Sequence, residues 1–522
     1  MTRHAGTIIP LFSAPSTESW GIGDLPAVAP LARWLATAGF DRLMLLPIGT
    51  MEAEVTSPYS AASSMAIDPI YIGITDVPDF LPGDLDELSE EVRRDLHDAK
   101  VAPRIRYENV RRVKREALEI AFARFARDEW EQLTPRAAGL AAYIARERSW
   151  LDDYAIFQAL SEHYPGGSWR EWPVPIRDRD PQAIDEARRQ HARAMLLHQY
   201  LQWIAEGQWR DAKAAADSCG VMLFGDLQFS VDLHSADVWA RADEYLLDVS
   251  LGVPPDAFSA TGQDWGLPTY RWDVIAERDF FWFRQRARRM ATLFSGFRVD
   301  HLVGFYRTYG RPPNGEPFFS PAGETAQTQQ GETILKIFLE SGAVIIAEDL
   351  GTVPDFVRAS LARLGVPGCK VLRWERNWHA ASHPFLEPAS YPPLSAAFTS
   401  THDTETLAEW WESASARERD ASLRVHFFQE RGIVDPAAPW SDRLRDAFLE
   451  LAYESGSSEL MILFQDLFGW RERVNVPGTV TSANWTWRLP WLVDQLGEVG
   501  EATDRARYFR TLAARSHRTM RQ

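Results

Sequence analysis

Three apolar runs in this chain lead into carboxylates: SGFRVDH at 295-301 carries Asp300, VIIAEDL at 344-350 carries Glu348, and AAFTSTHD at 396-403 closes on Asp403. Carboxyl groups whose surroundings push their protonation apart supply the general acid and the nucleophile of many enzymes. Arg298 and Asp300 stand two apart on an extended run and so point the same way, which lets the guanidinium hold the carboxylate ionised and oriented. Asp300 therefore suits a nucleophile. Glu348 follows an apolar stretch, where partial desolvation raises its pKa and keeps it protonated as a general acid.

Each carboxylate alone also fits a salt bridge or a helix cap, and Asp403 just before TETLAEWW is placed to cap a helix. A divalent metal site built from Asp300, His301, Glu348, His402 and Asp403 is a second alternative. It is the weaker one, because adjacent Asp and His residues point apart on a strand. No metal or cofactor is expected.

Positioning three such groups on one rim needs a scaffold of parallel strands. Eight short apolar runs recur between helix-like stretches: TIIPLF at 7-12, RLMLLPIG at 42-49, VMLFGDL at 221-227, KVLRWE at 370-375, LMILFQD at 460-466 and the three above. Buried parallel strands read this way, and eight of them alternating with helices predict an α/β fold, a (β/α)8 TIM barrel whose catalytic groups sit where strands end. The wide gap between the second and third runs is charged, Ala-rich and helical in period. We read 85-210 as an inserted helical subdomain of a single catalytic barrel, and 228-290 as a second insertion whose Gly, Pro and aromatic residues at 252-273 form an ordered loop.

A chain of 522 residues, 45% hydrophobic, can bury a large core. Its net charge of -17 opposes nucleic acid and anionic membrane partners, and a neutral substrate fits it better. Cys219 and Cys369 cannot make a disulfide framework, and no segment reaches membrane-spanning length, so the expected location is the cytoplasm. The 21 tryptophans include candidate platforms for sugar rings.

In order along the chain come GIGDL at 21-25, SPYS at 57-60, GDL at 225-227, SADVWA at 235-240 and the segment 252-273. FRVDH at 297-301, AEDLG at 347-351, GVPGCKVL at 365-372, THD at 401-403, VNVPGTV from 474 and NWTWR to 488 follow. In these motifs the sequence resembles the amylomaltases, also called disproportionating enzymes, which are 4-α-glucanotransferases (EC 2.4.1.25). The resemblance implies Asp300 as nucleophile, Glu348 as acid/base and Asp403 as transition-state stabiliser. It further implies that Arg298, His301 and His402 bind sugar at the cleavage point, that Tyr59 and Trp265 stack on sugar rings, and that Asn475 contacts a hydroxyl. The segment around Trp265 resembles the family's lid over the acceptor side. The implied partners are α-1,4-glucans and maltooligosaccharides.

The chain departs from the family's pattern at Gln228, after GDL, at His234, before SADVW, and in FSVDL between them; these positions bear on donor-side recognition. After KVL it reads RWERNW, which brings Arg373, Glu375 and Arg376 towards a sugar subsite and bears on chain-length preference. Two other functions compete with glucan transfer: an α-glucan hydrolase and a catalytically weak glucan-binding protein. Retention of Arg298 and all three carboxylates argues against the second.

Overall fold

The computed structural model describes residues 2–52, 54–255, 261–380 and 382–518. Eight parallel strands close into a barrel: His4–Ile9, Arg42–Leu45, Met222–Leu227, Gly296–Val299, Val344–Ala347, Gly368–Val371, Ser395–Phe398 and Glu459–Leu463. Each pairs with its neighbours in chain order, and the first closes on the eighth with Thr7 opposite Ile462. These are the eight apolar runs of the sequence. They are nearly continuous in burial because barrel side chains face either the interior or the helical layer.

Most of the strands stop before the ends of the apolar runs that announce them. The seventh stops at Phe398 rather than at Asp403, and the sixth at Val371, so Arg373 and Asp403 lie in turns beyond strand ends. The first stops at Ile9, before Pro10, which has no N–H to offer a ladder. Close approach is enforced at Gly368, where a Cβ would meet the Asp349 carboxylate at 2.6 Å. Asp349 accepts a hydrogen bond from the Cys369 N–H at 2.7 Å and so ties the end of the fifth strand to the sixth.

Between the second and third strands the described residues form five helices of ten or more residues: Glu90–Val101, Tyr107–Phe125, Pro135–His163, Pro181–Gln190 and Ala192–Ser218. Ser89, Thr134 and Asp180 cap three of them by accepting from backbone N–H groups. The last helix lies against the barrel helix Val28–Thr37 and leads into the third strand.

Much of the described part of the segment 252-273 is strand rather than loop. Tyr245–Val253 and Gln263–Tyr270 form an antiparallel hairpin, joined by Thr308–Arg311 and Phe318–Ser320 into a four-stranded sheet outside the barrel. Pro268 sits on Gln263–Tyr270, an edge strand, where a missing N–H is tolerated. Residues 256-260 of the segment lie outside the described residues. A satellite core of Leu407, Trp411, Phe428 and Phe448, among others, packs helices between the seventh and eighth strands, where no insertion was expected. Among the described residues no helix is long and apolar enough to cross a membrane.

Candidate active site

The site is assembled at the C-terminal ends of the strands, and its centre is a cation. Arg298 on the fourth strand stands in register with Asp226 on the third. Its Nη1 donates to both Asp226 oxygens, at 2.9 and 2.7 Å, and to Asp300 Oδ1 at 3.0 Å. Burial works against the charge of Arg298, but the two carboxylates outweigh it and keep the guanidinium protonated. Tyr59 donates its hydroxyl to Asp226 Oδ2 at 2.7 Å, and the Asp226 side chain is wholly enclosed.

Asp300 continues the ladder by one bond, its N–H donating to the Leu227 carbonyl at 3.0 Å, which keeps its side chain on the same side as that of Arg298. Burial raises its pKa, and Arg298 opposes that rise without cancelling it. Ionisation of Asp300 is thus less complete than the Arg298 spacing alone predicts, because a half-buried rim also removes water. The orientation by Arg298 is as expected.

Glu348 follows the fifth strand. The chain turns sharply at His301, whose φ of 44° lies in the left-handed region, and its N–H donates to Glu348 Oε2 at 2.7 Å. Leu350 N–H approaches the other oxygen at 3.3 Å. Burial raises the pKa of Glu348 first, Arg298 opposes, and the charge of Asp300 adds to the rise. Protons on this pair therefore leave in two coupled steps, with Glu348 the natural holder of the last one.

Asp403 is the opposite case. Burial acts to raise it, but the His402 imidazole at 3.2 Å and the Asn475 amide at 2.6 Å bring it down to about 2. The same contact lifts the pKa of His402 above its ordinary value against the effect of burial. The Tyr59 ring stacks on His402 with centroids 5.1 Å apart and planes 18° apart, and Trp485 tilts against both. His301 is held neutral, at about 4, by burial and then by Arg298. Trp265 on the hairpin meets its ring edge-on at 4.8 Å.

The structure thus gathers Asp300, Glu348, Arg298 and His301 around one junction, and His402, Asp403, Asn475 and Tyr59 around another, with Tyr59 joining the second to the first through Asp226. Asn475 spends its amide on Asp403, and Tyr59 has one ring face against His402. Several of the departures make internal contacts. His234 Nδ1 hydrogen-bonds Ser168 Oγ at 2.9 Å, at the seam with the helical insertion, and Gln228 lends its carbonyl to buried Arg286. Glu375 pairs with Lys370 at 3.1 Å, and Arg376 pairs with Glu418 while covering the Phe385 ring. Both are engaged in internal pairs. Asp226, Arg473 and Trp485 are central and were not picked out from sequence. Asp226 is the middle residue of the GDL motif, but its partner is visible only in the register with Arg298. Among the described residues no group of three or more His, Cys, Asp and Glu side chains is arranged to hold a metal ion.

Comparison with known proteins bears on the family and the fold. The family model described as 4-alpha-glucanotransferase matches residues 9–494. The 4-alpha-glucanotransferase of Thermus thermophilus is 33% identical over 97% of this chain and 99% of its own, and that of Chlamydia pneumoniae is 30% identical over 94% and 92%. An amylomaltase structure from Streptococcus agalactiae, in complex with acarbose, superposes with a TM-score of 0.82 over 99% of this chain and 100% of that one, at 24% identity, which bears on the fold. With residues 9–494 matched by the family model and 97% of its length matched by a relative at 33% identity, the chain belongs to the 4-alpha-glucanotransferase family.

Proposed function

We propose that the enzyme moves α-1,4-glucan segments between maltooligosaccharides or storage glucans such as glycogen or starch by a retaining double displacement. The observation that carries this reading is the pairing of Asp300, oriented by Arg298, with Glu348, a buried acid anchored on the His301 N–H. Glu348 protonates the glycosidic oxygen while Asp300 attacks the anomeric carbon, breaking the C–O bond and forming a β-glycosyl ester. The reducing-end fragment leaves. Glu348, now ionised, takes the proton of an incoming sugar 4-hydroxyl, which displaces Asp300 and restores the α linkage. Asp403, charged throughout, stabilises the positive sugar of both transition states through its 2- and 3-hydroxyls.

Water would intercept the ester unless the acceptor side is shielded. The hairpin that carries Trp265 against His301 supports a lid role there, with an aromatic face to hold the acceptor ring. Free thiols at Cys219 and Cys369 support a reducing, cytoplasmic location.

Maltotriose as sole substrate tests the reading. The expected products are glucose and a ladder of longer α-linked maltooligosaccharides, with total reducing ends constant. Glucose and maltose alone, with reducing ends rising as substrate disappears, would make the protein a hydrolase, and no product would make it a binding protein. Trp265→Ala should lower transfer several-fold more than hydrolysis, read as the ratio of new linkages to new reducing ends.

A further inference from the structure

Asp403 stands five residues beyond the last residue of its strand, in a turn with no ladder to hold it. Two guanidinium groups from the segments that follow the sixth and eighth strands grip that turn. Arg473, beyond the eighth strand, donates Nη2 to the Asp403 carbonyl at 2.9 Å and Nε to the Asn475 carbonyl at 3.1 Å. Arg373, just beyond the sixth strand, donates Nη2 to the Glu405 carbonyl at 2.7 Å. The Glu405 carboxylate bridges the two, with Oε2 at 3.3 Å from Arg373 and Oε1 at 3.5 Å from Arg473. We infer that Arg373 is a positioning residue, which acts through Glu405 and Arg473 to fix the 403–405 turn and the direction in which Asp403 presents its carboxylate.

Stability does not account for an arginine at this place. Arg373 is 5% exposed, and its Nε and Nη1 are buried without a hydrogen-bond partner. A buried cation with unmet donors costs free energy that an apolar side chain of similar length avoids. Burial also pulls its pKa below the ordinary arginine value, with Glu405 opposing. What the guanidinium supplies is a carbonyl and a carboxylate of Glu405 held at once by one cationic nitrogen, Nη2, which an apolar packing residue cannot give. Arg376 cannot substitute, since it is paired with Glu418.

The inference rests on the role given above to Asp403, and the variants separate the two. Arg373→Met, Glu405→Gln, their combination, Arg373→Lys and Asp403→Asn are compared for kcat and KM of maltotriose disproportionation and for Tm. Arg373→Met should lower kcat about tenfold to a hundredfold, as loss of alignment does, with KM little changed and Tm unchanged or raised. Glu405→Gln should do the same, the double variant should be no worse than either single one, and Arg373→Lys should recover part of the rate. Glu405 is the more exposed partner, so its variant carries the test should Arg373→Met not fold. Wild-type kcat in Arg373→Met and Glu405→Gln beside an inactive Asp403→Asn would overturn the clamp alone. So would a loss of activity that only follows a lower Tm. A wild-type rate in Asp403→Asn would overturn the role of Asp403 itself, and the clamp's purpose with it.

Discussion

Asp300→Asn should abolish transfer and hydrolysis together, by at least about 10⁴-fold in kcat, because both pass through one covalent ester that no other group can form. Its surroundings limit the alternatives. Asp226, the other carboxylate on Arg298, is wholly enclosed and accepts from Tyr59, so it cannot advance to the anomeric carbon. Asparagine keeps the volume and can still face Arg298, and the Arg298–Asp226 pair remains whole, so the fold should survive with Tm near that of wild type. Circular dichroism and Tm beside the rate would show this. A variant that lost transfer but kept hydrolysis would mean that water attacks the glucan directly, and Asp300 would not be the nucleophile.

Glu348→Gln has a different signature, set by the leaving group. With natural glucan the sugar oxygen must be protonated as it departs, and losing the acid should cost about 10²–10⁴-fold. With α-glucosyl fluoride the leaving group needs little help. The first step should then run near the wild-type rate, seen as a burst of fluoride stoichiometric with enzyme, and turnover should stall because no base activates the acceptor. The pH dependence follows the same logic. Burial raises both groups of the coupled pair, so wild-type kcat/KM on glucan should rise as Asp300 ionises and fall as Glu348 loses the last proton. In the variant, the burst rate on fluoride should keep the acid limb and lose the basic one. Equal loss on both donors, or a basic limb that persists, would remove Glu348 from the acid/base role.

Much of the barrel is legible because parallel strands buried on both faces are continuous apolar runs, and all eight such runs are barrel strands. Strand ends are less legible. The run into Asp403 stays uncharged to Thr401, while the ladder stops at Phe398, since only partner strands decide where pairing ends. The outer sheet is hidden by its own composition. Gly252, Gly262, Gly266 and Pro268 read as loop residues, and only pairing between 245–253 and 263–270 makes them a hairpin. In the site, residues two apart on one strand, such as Arg298 and Asp300, are readable by period. Contacts between segments are not: Asp226 needs the register of the third and fourth strands, and the bond from Asn475 to Asp403 spans 72 positions. Glu348 combines both. Its burial follows from the apolar run before it, whereas its anchor is a backbone N–H exposed by the left-handed turn at His301, which no residue type announces.

The account stands on a glycosyl ester at Asp300, and that ester can be weighed. Glu348→Gln supplied with α-glucosyl fluoride and no acceptor should accumulate protein heavier by one glucosyl unit, and peptic digestion with mass spectrometry should place the unit on the peptide containing Asp300. Added maltose should leave most of it in place, because the variant has no base to activate the acceptor hydroxyl. Unmodified protein under rapid fluoride release, or a sugar found on another residue, would contradict the mechanism.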